Sequence, residues 1–181
     1  MQAERWEHRV WFDGPAEPLE RLAREGEEVG AEYRTDTYLL GPDAALLPKL
    51  RDNARFEVKR LLETKDGLER WRAETSLPFP VSGANVYRVL PGVPSESLRS
   101  PEALLAYAAT LEGMRVVAVR KHRRRYALDE GEAEITMTQG GSLPAATLGI
   151  EAPDHDGAMA LVRRLGTDPF PNRSYGTALR G

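Results

Sequence analysis

Nothing constrains the fold of this chain more than stretches in which charged and apolar side chains alternate. From Val116 to Leu128 one face reads Val117, Val119, Lys121, Arg123 and Arg125. The other reads Val116, Ala118, Arg120, His122, Arg124 and Tyr126. Successive side chains of a strand point to opposite faces, so this is a strand with a row of cations along one side. Ala133 to Thr138 separates more cleanly, with Ala133, Ile135 and Met137 against Glu134, Thr136 and Thr138. Glu130-Gly131 between the two makes a hairpin. Arg55 to Leu62 sets Phe56 and Val58 against Glu57 and Lys59.

Further strands are expected at Glu4 to Phe12, Thr35 to Leu40, Val86 to Leu90 and Ala146 to Glu151. Leu46 to Leu50 reads as a brief turn or strand, and Leu68 to Thr75 as a strand or a helical turn. Leu19, Leu22 and Ala23 recur at helical spacing in a short charged helix ending near Gly26. Ser100 caps a helix through Ala109, with Pro101 at its first position. Asp154 caps another through Leu165, stopped by Gly166. The tail from 167 to 181 is punctuated by proline and glycine. No strand–helix–strand alternation runs the length of the chain, and no glycine-rich phosphate loop follows a strand, which argues against a doubly wound nucleotide fold. The expected class is α+β, dominated by an antiparallel sheet, in one domain over residues 1–181.

Composition narrows the chemistry. With 181 residues, 41% of them hydrophobic, the chain can bury a sizeable core. No apolar run approaches the roughly 18 residues of a membrane span. Met1 to Arg9 carries both charge signs and no apolar leader segment, so a cytoplasmic home is expected. The chain has no cysteine, which removes disulfides, thiolate nucleophiles and cysteine-held metals. His8, His122 and His155 are far apart in sequence, so any metal is expected to be held by carboxylates, which suits a hard ion such as Mg²⁺. A net charge of −3 does not suit bulk nucleic-acid binding, although Arg120 to Tyr126 is a basic run with an aromatic. Two pictures fit the charged strand faces. Either they meet solvent, or the sheet closes into a barrel with a polar lumen. Periodicity leaves both open.

The order and spacing of the polar residues resemble the CYTH superfamily, the triphosphate tunnel metalloenzymes. Asp36-Thr37-Tyr38-Leu39, Lys49-Leu50-Arg51 and Phe56-Glu57-Val58-Lys59 resemble its early strands. Lys121-His122-Arg123-Arg124-Arg125-Tyr126 matches its K-x-R-x-x-Y. Leu148-Gly149-Ile150-Glu151 resembles a late strand ending in E-x-E, and Ser174-Tyr175 with Leu179 the closing S-Y-x-x-L. The resemblance implies an antiparallel eight-stranded barrel, or tunnel, with flanking helices. It implies that lysines and arginines hold a triphosphate and glutamates hold Mg²⁺ or Mn²⁺. By position, Arg51, Lys59, Lys121, Arg123 and Arg125 are the implied phosphate ligands. Glu7, Glu57, Glu134 and Glu151 are the implied metal ligands, with Glu134 and Glu151 catalytic.

The chain departs from this pattern in places. The family's E-x-E-x-K aligns with Glu7-His8-Arg9-Val10-Trp11, so Arg9 stands where a second glutamate would. Arg9 is therefore expected to bind phosphate. Gly149 precedes Glu151 where E-x-E has another glutamate, and Thr138 stands where a carboxylate often ends its strand. The implied function is binding of a triphosphate or other phosphorylated small molecule and hydrolysis of its terminal phosphoanhydride, with neither a membrane nor nucleic acid as partner. The alternative is a non-catalytic tunnel that binds an anionic ligand or partner. Trp6 and Trp11 are expected to pack, as are Tyr38 and Tyr126 with their hydroxyls hydrogen-bonded.

Overall fold

The structure, a computed structural model, describes residues 4–181. Met1 to Ala3, which the single-domain and leader expectations include, lie outside the described residues. Eight strands close into an antiparallel barrel: β1 (Glu4–Phe12), β2 (Glu27–Leu40), β3 (Leu46–Arg51), β4 (Arg55–Lys65), β5 (Leu68–Pro78), β6 (Arg115–Leu128), β7 (Gly131–Gln139) and β8 (Ala146–Ala152). The order around the barrel is β1-β5-β4-β3-β2-β6-β7-β8, and closure comes where β8 returns to β1, with Glu7 opposite Glu151 and Arg9 opposite Gly149. Eight strands leave an interior just wide enough for side chains or one small ligand.

The apolar strand faces point outward, and helices cover them. Helices α1 (Glu17–Glu25) and α4 (His155–Leu165) lay Leu22, Leu161 and Leu165 on Val10, Leu148 and Ile150. Asp154 caps α4 by accepting a 2.8 Å bond from the Gly157 N–H, and Gly166 ends it in the left-handed conformation at φ 68°. The segment between β5 and β6 carries α2 (Gly83–Val86), a 3₁₀ turn at Ser95–Leu98 and α3 (Pro101–Ala108). It packs Val86, Leu90 and Leu104 on Leu39, Leu50, Phe56 and Val58. The last helix, α5 (Tyr175–Arg180), packs differently. Its Tyr175 and Leu179 meet Tyr38, Leu40 and Val119 on the inward strand faces, with Trp11 and Leu47 against them. This helix plugs one end of the barrel.

The structure corrects the sequence reading at three places. Val86 to Leu90 is not a strand: the Leu90 N–H donates to Val86 O at 2.8 Å in a helical turn. Val86 and Leu90 are both fully buried while Arg88 between them is exposed, which a helical turn allows and a strand, with residues two and four apart on one face, does not. Strand β2 starts at Glu27 rather than Thr35, because β6 extends to Leu128 and pairs with that polar stretch, Glu27 opposite Ala127. The tail contains α5, which the scattered glycine and proline concealed; the Ser174 hydroxyl caps it by accepting from the Thr177 N–H at 3.3 Å. Both ambiguous segments are strands, β3 and β5. Tyr38 accepts a hydrogen bond as expected, whereas the buried Tyr126 hydroxyl has no hydrogen-bond partner. No described helix is long and apolar enough to cross a membrane.

Candidate functional site: a charge-lined tunnel

With the apolar faces outward, the charged faces converge inside. Lys121 is 3% exposed and Asp36 0%, which decides between solvent and lumen. The cavity is lined by six cations, Arg9, Arg34, Lys49, Lys59, Lys121 and Arg123, drawn from five strands. Its volume is about 70 Å³, room for a few waters.

Three ion clusters organise the lumen. In the first, near the α5 plug, Asp36 Oδ2 accepts from Lys121 Nζ at 2.7 Å, Lys49 Nζ at 3.0 Å and Arg34 Nη2 at 3.1 Å. The Lys121 ammonium also donates to the Tyr38 hydroxyl at 2.6 Å and lies 3.5 Å from the centre of the Tyr175 ring. One carboxylate thus serves three cations, of which Lys49 also reaches Glu57 at 3.6 Å and Arg34 reaches Glu32 at 3.3 Å. Burial works against the Asp36 charge, but Lys49, Lys121 and Arg34 outweigh it and hold the carboxyl well below its usual range.

The second cluster centres on Glu134. Arg9 Nη2 donates to its Oε1 at 2.8 Å, and Arg123 grips its Oε2 through Nε at 2.8 Å and through Nη2. The two guanidinium groups overcome the cost of burial and keep the Glu134 carboxyl far below its ordinary value. Arg123 Nη1 also donates to Glu32 at 2.5 Å. The third cluster is acidic in balance: Lys59 Nζ donates to Glu7 at 2.5 Å and lies 3.9 Å from Glu151. Burial raises the Glu7 pKa, and Lys59 opposes that rise.

The chain end completes the wall. Strand β1 pairs with β5 only as far as Glu7, so the edge from His8 onward needs another partner on that side. The stretch before α5 supplies it. Asn172 Oδ1 accepts from the Arg9 N–H at 2.8 Å, the Arg173 N–H donates to Arg9 O at 2.8 Å, and Trp11 Nε1 donates to Arg173 O at 2.7 Å. Asn172, Ser174 and Tyr175 thereby face the cavity.

Of the residues singled out in the sequence, Glu7, Arg9, Glu57, Lys59, Lys121, Arg123, Glu134 and Glu151 line this cavity. Arg51 does not: it pairs with Glu57 at 3.1 Å. Arg125 lines an adjoining pocket of about 40 Å³ that shares Arg123, Glu134 and Glu151 with the cavity. Thr138 Oγ1 donates to Pro144 O at 2.5 Å, a loop contact rather than a lumenal one. Sequence reasoning gave no role to Asp36, Arg34, Lys49 or Tyr175. A lone aspartate inside the run Thr-Asp-Thr-Tyr-Leu-Leu was the available signal, since a strand interior that buries leucines keeps a carboxylate only against cations.

The donor set does not fit Mg²⁺ or Mn²⁺. Among the described residues no three histidine, aspartate or glutamate side chains come together as such an ion would need. Glu134 is taken by two arginines, Glu7 by Lys59, and Glu57 by Arg51 and Lys49, so the expected ligands face side-chain cations instead.

The ion clusters set a pH dependence. Asp36 and Glu134 have folded pKa values below those of the unfolded chain. Their contribution is therefore complete above the unfolded carboxylate pKa of about 4 and is lost as pH falls below it. The urea midpoint should hold between pH 7 and 5 and drop steeply between pH 4 and 2. Glu134→Gln should flatten that drop; an equally steep drop in the variant excludes Glu134 as its source.

No protein-family model matches the sequence, and no curated protein matches it either. Solved structures match over almost the whole chain. A conserved hypothetical protein from Pyrococcus furiosus superposes with a TM-score of 0.60 at 16% identity, covering 95% of this chain and 99% of its own. The PH1012 protein of Pyrococcus horikoshii gives 0.59 at 19%, covering 95% and 98%. A Vibrio parahaemolyticus protein provisionally assigned as an adenylate cyclase gives 0.53 at 14%, covering all of both chains. The chain shares the fold of these proteins, a closed eight-stranded antiparallel barrel. The eight-stranded closure and the inward charged faces are those the sequence resemblance implied.

Proposed function

We propose that the tunnel binds a triphosphate or another polyphosphate-bearing small molecule. The observation that carries this is the convergence of six cations from five strands on one buried cavity, three of them on the single carboxylate of Asp36. Buried cations need anionic partners, and phosphate oxygens can take the place of the carboxylates that now serve them. Arg9 and Arg123 offer the planar guanidinium groups that suit phosphate oxygens, and Lys59 stands beside them. The Vibrio protein's assignment as an adenylate cyclase, an activity that takes a nucleoside triphosphate, supports the ligand class. A cavity of about 70 Å³ is too small for the ligand until the ion pairs part, so binding exchanges carboxylate partners for phosphate partners.

The reading stops at binding, because Glu7 and Glu134 are committed to side-chain cations and the described residues form no metal-ligand group. Tripolyphosphate at about 100 times its dissociation constant should add roughly 2.7 kcal/mol, read as a rise in melting temperature. Lys121→Ala with Arg123→Ala should abolish that rise; an unchanged rise excludes the tunnel as the binding site. Phosphate release above background, lost in Glu151→Ala, would establish a hydrolase instead.

A further inference from the structure

We infer that the tunnel takes its polyphosphate free of divalent metal, with the Arg9 guanidinium as the fixed charge that neutralises it there. This rests on the binding reading above and names the form of the ligand. The first observation is Arg9 itself. It is 8% exposed, it projects from β1 into the cavity, and the Glu134 carboxylate offsets the cost of burying its charge.

The second observation is the surface on which it lies. Gly149 is the register partner of Arg9 on β8 and of Glu134 on β7. A Cβ at Gly149 would stand 2.4 Å from Arg9 Nη2 and 2.7 Å from its Cζ. The missing side chain is therefore the space through which the guanidinium crosses β8 to reach Glu134. Any larger residue would push it away, so Arg9 and Gly149 form one device.

The third observation is spare donor capacity. A guanidinium has five N–H groups, and the contacts to Glu134 and Thr147 use two. The others remain for oxygens entering the cavity. A cation fixed by the fold neutralises phosphate without an ion arriving from solution. Mg²⁺ chelated to the ligand would occupy phosphate oxygens that Arg9 could otherwise bind, and it would find Glu7 and Glu134 already paired with Lys59, Arg9 and Arg123. Mg²⁺ should therefore compete with the protein for the polyphosphate rather than assist it.

Isothermal titration with sodium tripolyphosphate tests this in EDTA and in Mg²⁺. Binding is expected in EDTA. Free Mg²⁺ at ten times its dissociation constant for tripolyphosphate should raise the apparent Kd about tenfold by mass action. Arg9→Ala should weaken binding in EDTA by about tenfold or more, and Arg9→Lys by less, because one point charge survives without the fork. Circular dichroism checks that both variants fold. Gly149→Ala, which leaves every charge in place, should weaken binding in the same direction by displacing the guanidinium.

Mn²⁺ titrated into the protein alone should give no heat that depends on Glu7 or Glu151. Binding that strengthens with Mg²⁺, an Arg9→Ala variant with unchanged affinity, or Mn²⁺ binding lost in Glu7→Gln overturns the metal-free inference and leaves tunnel binding standing. No binding in either buffer overturns the tunnel reading and the inference with it.

Discussion

Asp36→Asn should destabilise the protein by about 3–5 kcal/mol, the cost of removing one partner from a buried ion cluster. The substitution changes almost no volume, so the loss is electrostatic. It leaves Lys121, Lys49 and Arg34 within 3.1 Å of a neutral amide, and Lys121 is nearly inaccessible to water. Lys121→Met is the informative contrast. It removes one cation but leaves Asp36 with two others, and the methionine fills the volume against the Tyr175 ring. Its cost should be clearly smaller. Urea unfolding of the two variants at pH 7 separates these outcomes, and an Asp36→Asn loss below about 1 kcal/mol would remove the cluster from the list of forces holding the lumen. Tripolyphosphate should recover part of the Lys121→Met loss and less of the loss in Lys121→Met with Arg123→Ala.

The double variant Tyr175→Ala with Leu179→Ala should cost about 5 kcal/mol or more, because it removes two large buried side chains from one contact. Tyr175 stacks on Tyr38 at 5.5 Å between ring centres, meets Trp11 edge-on at 5.0 Å and lies under both Lys121 and Arg9. Removing the ring opens the plugged end of the barrel and wets two cations. Tyr175→Phe keeps all of this. The buried hydroxyl has no hydrogen-bond partner, so its removal should change stability by less than about 1 kcal/mol. A large cost in Tyr175→Phe would locate the effect in the hydroxyl rather than the plug. Thermal unfolding followed by tryptophan fluorescence reads all three proteins, since Trp11 sits at the contact.

Much of the barrel was legible because strand alternation is local. Lys121, Arg123 and Glu134 could be put on charged faces from their own neighbours in sequence. Whether those faces looked in or out depends on where helices lie, and the alternation holds no information on that; the motif resemblance supplied it. The misreadings share a cause. Val86 to Leu90 is short and apolar, and only its burial beneath α3 distinguishes a helical turn from a strand. Glu27 to Arg34, left unassigned by its polar sequence, is a strand because β6 lies beside it. In the site, cation positions were readable and their partners were not. Arg9 meets Glu134 across 125 residues and Lys121 meets Asp36 across 85. The significance of Gly149 was equally hidden, because it depends on a side chain from the neighbouring strand.

The seam between β1 and β8, reinforced by the stretch before α5, also governs when the tunnel can exist. The first strand pairs with the last, and Arg9 is bonded to Asn172, 163 residues away. Such contacts close very long loops, so they are expected to form late. During synthesis Glu4 to Glu7 can pair with β5 early, but His8 to Phe12 must wait until β8 and the stretch at Asn172 have left the ribosome. The lumen cannot become dry, nor its ion clusters tight, before that moment. Closure of the lumen and completion of the fold are therefore a single event in this protein, and a chain without residues 170–181 should achieve neither.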